Sequence, residues 1–247
     1  MKKNTFIAGM IAILYIVFSC EKPSSSISQE STSENLETEM PYVDLGLSVK
    51  WASKNIGAKS YLEPGNFYAW GETEVKMKYY ADSYLFYEDG KFTSYINITN
   101  ELVGNPPNYE WVEVGDGLVT LCPDDDVATK LLGKDWRIPT PDEWNELLMK
   151  CKLTTSHHRI DGKIRWLHTL TAENGNSISF IDNGHYYDKG FWAAGTFASL
   201  WTSSRCDGAH QMAIIMSFNN RSWGQEYVMR YEGYPVRAVY VGDKDKK

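Results

Sequence analysis

The residues best suited to chemistry lie near the C-terminal end of the 247-residue chain, in "FNNRSWGQEYVMRYEG". Asn219, Asn220, Arg221, Trp223, Gln225, Tyr227, Arg230 and Tyr231 put amide, guanidinium and aromatic groups close together, with no long apolar run between them. Adaptable recognition surfaces use that mixture. An indole can stack on the C–H face of a sugar ring while neighbouring amides hydrogen-bond its hydroxyls. The same letters also describe a polar hairpin with one tucked Trp, because most exposed loops carry no function.

Other constellations point elsewhere. "PDDDVA" is the densest carboxylate cluster, and Asp124, Asp125 and Asp126 could offer oxygen ligands to calcium. Acids just before an apolar-periodic segment are equally explained as helix-capping charge, and this reading is preferred. No metal ligand is therefore assigned and no cofactor is expected. Of the five histidines, His157 and His158 are adjacent, so on a strand they face opposite ways and do not share a metal. HExxH, GxSxG, the P-loop and GxGxxG are all absent, and no catalytic residue is expected. Cys122, Cys151 and Cys206 show no zinc-type spacing; either one bridge forms or they are small buried residues.

Elements must hold these groups in place. "VDLGLSVKWA" alternates, with Val43, Leu45, Leu47, Val49 and Trp51 on one face, which predicts a half-buried strand. "GNFYAWGE" predicts a second short strand ending at Gly71. The tyrosine-rich stretch 76–120, broken by "GNPPN", reads as surface loops with one or two weak strands. "PDDDVATKLLG" predicts a short helix ended by Gly133. In "TPDEWNELLMKC", Thr140 caps, Pro141 opens the helix and Glu143 completes a capping box; Trp144, Leu147, Leu148 and Cys151 share one face. Strands follow, with turns at Asp161-Gly162, at 174–176 and at Asn219-Asn220. "HQMAIIMSF" predicts a buried central strand, and "GYPVRAVYV" one closing strand. The pattern is α+β: a few helices, then antiparallel strands.

The N-terminus carries an address. Lys2 and Lys3 precede an apolar run, Phe6 to Phe18, too short to span a bilayer core of about 30 Å as a helix. "VFSC" then places Cys20 where bacterial lipoproteins are cleaved and acylated, so residues 1–19 read as a signal peptide and Cys20 as the lipid anchor. Residues 20–40 are rich in Ser and Glu and lack aromatics, so they cannot bury enough apolar area to offset ordering entropy; they read as a flexible tether. The expected location is the cell envelope, on an outer membrane, facing the periplasm or the surface. Removing the signal leaves 23 basic residues against 32 acidic ones. An acidic body is a poor partner for phosphate backbones, so nucleic acid is not expected.

Four landmarks in order, "VDLGLSVKWASKNIGA", "YAWGETE", "DWRIPTPDEWNELL" and "GYPVRAVY", with "NGNSISF" and "LWTSS" between them, resemble the Fibrobacter succinogenes major paralogous domain. That family is abundant in exported lipoproteins of gut Bacteroidetes. The resemblance covers residues 41–241, with 242–247 left as a charged tail. It implies a C-type lectin-like fold: a twisted antiparallel sheet, two flanking helices and long loops on one side. It implies no reaction. Relatives often carry a cysteine where this chain has Ser53, so a bridge from there to Cys151 is not expected. Trp51, Trp70, Trp136, Arg137, Trp144 and Arg237 read as scaffold. The expected function is non-enzymatic recognition of a glycan or of an envelope or host protein. A structural role in a surface complex is the alternative, and an oxidase related to formylglycine-generating enzymes comes third.

Overall fold

A computed structural model describes residues 40–242, apart from positions 189, 193, 194 and 196. The signal, the Cys20 anchor and the tether up to residue 39 lie outside the described residues, as does the tail from 243.

The alternating N-terminal segment is a hairpin, not the single strand its pattern predicts. β1 (Tyr42–Val43) pairs antiparallel with β2 (Lys50–Ala52), Val43 opposite Trp51. Asp44 Oδ1 accepts the Gly46 N–H at 2.8 Å, and Gly46 takes φ +71°, so the chain bends where a strand was expected. The alternation still reports burial correctly: Leu45, Val49 and Trp51 are buried and Asp44, Gly46 and Ser48 exposed. β3 (Phe67–Tyr68) is the short strand expected before Gly71.

The tyrosine-rich stretch differs more from its reading as surface loop. It holds two hairpins, β4 (Tyr87–Glu88) with β5 (Lys91–Phe92), and β6 (Thr99–Asn105) with β7 (Asn108–Val114), the second turning at "GNPPN". It also supplies Tyr79, Tyr84, Phe86 and Tyr95 to the core. Burying a tyrosine is tolerable because its hydroxyl finds an acceptor: Tyr79 donates to the Phe67 carbonyl at 2.6 Å and Tyr84 to that of Trp70 at 2.5 Å.

Both expected helices form. α1 (Val127–Leu132) is capped by Asp126, whose Oδ1 accepts from the Ala128 and Thr129 N–H groups, and it ends at Gly133. β8 (Trp136–Arg137) leads into α2 (Pro141–Lys150), where Thr140 Oγ1 accepts from Glu143 N–H and the Glu143 carboxylate accepts from Thr140 N–H. Trp144, Leu147 and Leu148 are buried under α2, each contributing about 1.5–3 kcal/mol relative to exposure.

Three-stranded antiparallel sheets follow. β9 (Lys152–Ile160), β10 (Lys163–Thr171) and β11 (Ser177–Ile181) lie with β10 in the middle. The β9–β10 turn is Asp161-Gly162, both at positive φ as a two-residue hairpin demands. A small hairpin, β12 (His185–Tyr187) with β13 (Gly190–Trp192), comes next. β14 (Ala198–Arg205), β15 (Met212–Phe218) and β16 (Trp223–Met229) form the second such sheet, with β15 central. The continuous apolar run of β15 is explained by a core on each face. Ala213 and Ile215 enter a cluster with Trp70, Tyr95, Trp136 and Trp201, while Met216 and Phe218 enter one with Trp51, Trp144, Leu147 and Phe180.

"GYPVRAVYV" is two strands in different sheets rather than one. β17 (Tyr234–Pro235) pairs with β3, and β18 (Val239–Tyr240) lies between β2 and β8. Arg237 stands between them, fully buried, donating to Asn55 Oδ1 and to the Ala52 and Ser179 carbonyls at 2.8–2.9 Å, with its guanidinium 4.1 Å from the Phe180 ring centroid. Burial lowers its pKa to about 9. The architecture is α+β, built from small antiparallel sheets and two short helices.

Candidate functional site

The turn between β15 and β16 is set by one side chain. Asn219 Oδ1 accepts the N–H groups of Arg221 and Ser222 at 2.8 and 3.0 Å, and its own N–H donates to the Ser222 carbonyl. Asn219 is thereby mostly buried, while Asn220 and Arg221 are held out in solvent. Along β16 the two-residue period puts Trp223, Gln225 and Tyr227 on one face, all exposed. Trp223 lies directly opposite Phe218 in the ladder, and Phe218 in turn meets the edge of His168 on β10, their ring centroids 5.9 Å apart.

That contact brings a second strand to the turn. Trp166, His168, Asn219, Asn220 and Arg221 line a cleft of about 170 Å³. On β10, Trp166 and His168 share a face, and the register adds their β9 partners His157 and Thr155 to it. His157 packs edge-on against Trp166 at 5.7 Å, and the Thr155 hydroxyl lies 3.0 Å from His168 Nδ1. The cleft therefore has one indole, Trp166, on its β10 wall and amide and guanidinium groups on the turn; Trp223 opens β16 just beyond that turn, outside the lining. Trp166 was not anticipated from the sequence. The available signal was its position two residues from the buried His168 in an alternating strand, which marks both as members of one face.

Arg230, expected in the ligand patch, is a core residue. It is fully buried, its Nη1 donates to the Ser94 carbonyl at 2.8 Å, and its guanidinium carbon lies 4.6–5.9 Å from the ring centroids of Phe92, Tyr84, Trp70 and Tyr95. Strand parity explains the correction: Trp223, Gln225 and Tyr227 occupy odd positions, whereas Arg230 follows Glu226 and Val228 on the even ones. Tyr231 is half-buried and stacks on Tyr187 at 6.5 Å. Asn219, Asn220 and Arg221 stay together at the cleft; Gln225 and Tyr227 continue the exposed face away from it.

The acidic cluster is occupied by the protein's own donors. Asp126 caps α1 with one oxygen and accepts the Ile138 N–H at 2.8 Å with the other. Asp125 accepts from the Tyr95 hydroxyl at 2.8 Å, and Asp124 is exposed. Among the described residues no group of three or more His, Cys, Asp or Glu side chains is arranged to hold a metal ion. Cys151, at the end of α2, and Cys206, after β14, are free thiols. His157 and His158 take opposite faces of β9, one opposite Trp166 and the other opposite Arg165. Trp51, Trp70, Trp136 and Trp144 are buried, and Arg137 hydrogen-bonds the Glu143 carboxylate, with Nη1 2.7 Å from Oε2.

No family model, curated protein or solved structure matches this chain.

Proposed function

We propose that this chain is an exported lipoprotein, anchored through Cys20, whose body has a C-type lectin-like fold and recognises a glycan at the cell envelope without chemical conversion. The observation that carries this reading is the cleft itself. Trp166 on β10 faces the β15–β16 turn that presents Asn219, Asn220 and Arg221, and Trp223 is exposed on β16 immediately after that turn. Flat apolar faces beside amide and guanidinium donors suit a sugar ring, and small-ligand sites combine apolar walls with a few fixed polar groups in this way. The family resemblance in "DWRIPTPDEWNELL" and its companion segments supports the fold assignment.

The test is binding of the purified full chain to a broad glycan panel, with calcium and with chelator. Saturable binding that Trp223→Ala abolishes while thermal unfolding stays unchanged is the expected result. Unfolding of the Trp223→Ala variant would move that residue into the scaffold and remove the reading. Equal binding with chelator is expected, because the Asp126 oxygens already accept three N–H groups.

A role as assembly component of a surface complex is supported by a different feature. The β6–β7 hairpin exposes Leu102, Tyr109 and Trp111 on one face, with Trp111 71% exposed. On that reading a neighbouring envelope protein co-purifies with the chain and is lost on Trp111→Ser, while glycan binding is absent.

A further inference from the structure

We infer that the ligand of the cleft between β10 and the β15–β16 turn is an acidic saccharide, one carrying carboxylate or sulfate groups. This rests on the reading of the cleft as a glycan site and names the chemistry it selects.

Charge distribution supplies the first argument. The whole chain carries 25 basic residues against 32 acidic ones. The β9–β10 hairpin, residues 152–171, reverses that balance, with Lys152, Arg159, Lys163 and Arg165 against Asp161 alone, and three histidines besides. A basic arm on an acidic body concentrates anions locally.

Register decides which of these groups share the sheet face that forms the cleft's β10 wall. Arg159 lies opposite Ile164 and His157 opposite Trp166, so both are on the face of Trp166 and His168, beside the cleft, with Arg159 Nη1 also donating to the Gly162 carbonyl at 3.0 Å. Arg221 stands across from them on the turn. The nearby acids are turned away or neutralised. Asp182 is bound by Arg165, Nε to Oδ1 2.6 Å, on the opposite face of β10, and Glu226 lies on the face of β16 opposite to Trp223 and Tyr227. None of the five residues lining the cleft is acidic.

Hydrogen-bond polarity agrees. The Asn219 carbonyl oxygen is used by the Arg221 and Ser222 N–H groups, which leaves the amide NH₂ to present. A guanidinium, an amide NH₂ and indole N–H groups are all donors, and oxyanions are acceptors only. Arg in particular matches the two oxygens of a carboxylate or sulfate. The apolar wall of Trp166, with Trp223 exposed just beyond the turn, distinguishes a saccharide from a simple polyanion, since a sugar ring has a C–H face to stack.

The experiment is calorimetric titration of the purified full chain with four probes: hyaluronan oligosaccharide for carboxylate, chondroitin sulfate oligosaccharide for sulfate, dextran of matched length as the neutral sugar, and polyaspartate as an anion without rings. The acidic saccharides are expected to bind and the other two not. Arg221→Glu and Arg159→Glu should each weaken binding about tenfold, the loss of one charge-assisted hydrogen bond. Lys134→Glu, at a basic position outside the cleft, should leave it unchanged, and circular dichroism checks that all three variants fold. Dextran binding as tightly as the acidic sugars, with no effect of Arg221→Glu, would overturn the acidic selectivity while leaving the glycan reading intact. Polyaspartate binding equally well would overturn saccharide recognition in favour of bare charge. Silence of all four probes on folded protein would overturn both. Preference for one acidic sugar over the other identifies the oxyanion.

Discussion

Arg230 and Trp223 lie seven residues apart on one segment, and their environments predict opposite outcomes. Arg230 is fully buried in a box of aromatic rings. Arg230→Ala should destabilise the fold by about 2–5 kcal/mol, the range for emptying a large buried site. Arg230→Met, which keeps most of the volume, should cost less. Trp223→Ala, at a side chain 43% exposed, should change stability by less than about 1 kcal/mol. Urea unfolding of the three variants checks this ordering. A second prediction concerns Glu143. Burial raises its pKa, but hydrogen bonds from Arg137 and Thr140 outweigh that and hold the carboxyl below its ordinary value of 4.5. A folded pKa below the unfolded one stabilises above the ordinary carboxylate range and is lost as pH falls through it. Glu143→Gln should therefore cost about 1–3 kcal/mol at pH 7, and the difference from the parent should shrink steadily on titration to pH 3. Denaturation midpoints at four or five pH values would show whether the gap closes.

Among the elements, capping was readable and strand ends were not. The capping box at Thr140 and Glu143 needs only local spacing, so "TPDEWNELL" placed α2 correctly. Thr140→Ala should cost about 1 kcal/mol, measurable as a lowered thermal midpoint. The alternation in "VDLGLSVKWA" reported which side chains are buried but hid the bend, because the Asp44–Gly46 hydrogen bond acts within an unbroken parity. The β6–β7 hairpin is a different case. All residues of its strands except Val112 are exposed, and a two-stranded ribbon is at best marginally stable in water. It is anchored at its base, where Asp116 accepts the Tyr95 and Ile96 N–H groups at 2.5 and 2.7 Å. Replacing residues 99–114 by a short Gly-Ser linker, with Asp116 kept, should shift stability by no more than about 1 kcal/mol. A larger loss in urea unfolding would mean that the ribbon supports the body.

For the whole molecule, the address and the fold make separate predictions. On the proposed lipoprotein reading, Cys20→Ala should move the chain from the membrane to the soluble fraction and remove an acyl mass from its N-terminal peptide, which fractionation and mass spectrometry would show. The body should fold either way. The sequence by itself determined what short-range rules control: the apolar run before Cys20, the capped helices, the turns at Asp161-Gly162 and Asn219-Asn220, and the double-sided burial of β15. It also marked Asn219, Asn220, Arg221 and Trp223 as a group, since they are neighbours along the chain. Only the tertiary structure decided the rest. Trp166 reaches the cleft because β10 packs beside the β15–β16 turn through the His168–Phe218 contact, a pairing between residues fifty positions apart. Arg230 leaves it because the chain after Met229 enters a box built from Trp70, Tyr84, Phe92 and Tyr95. Local hydrogen bonding and periodicity are written in adjacent residues; which distant rings surround a cation depends on how the sheets pack, and no local pattern encodes that.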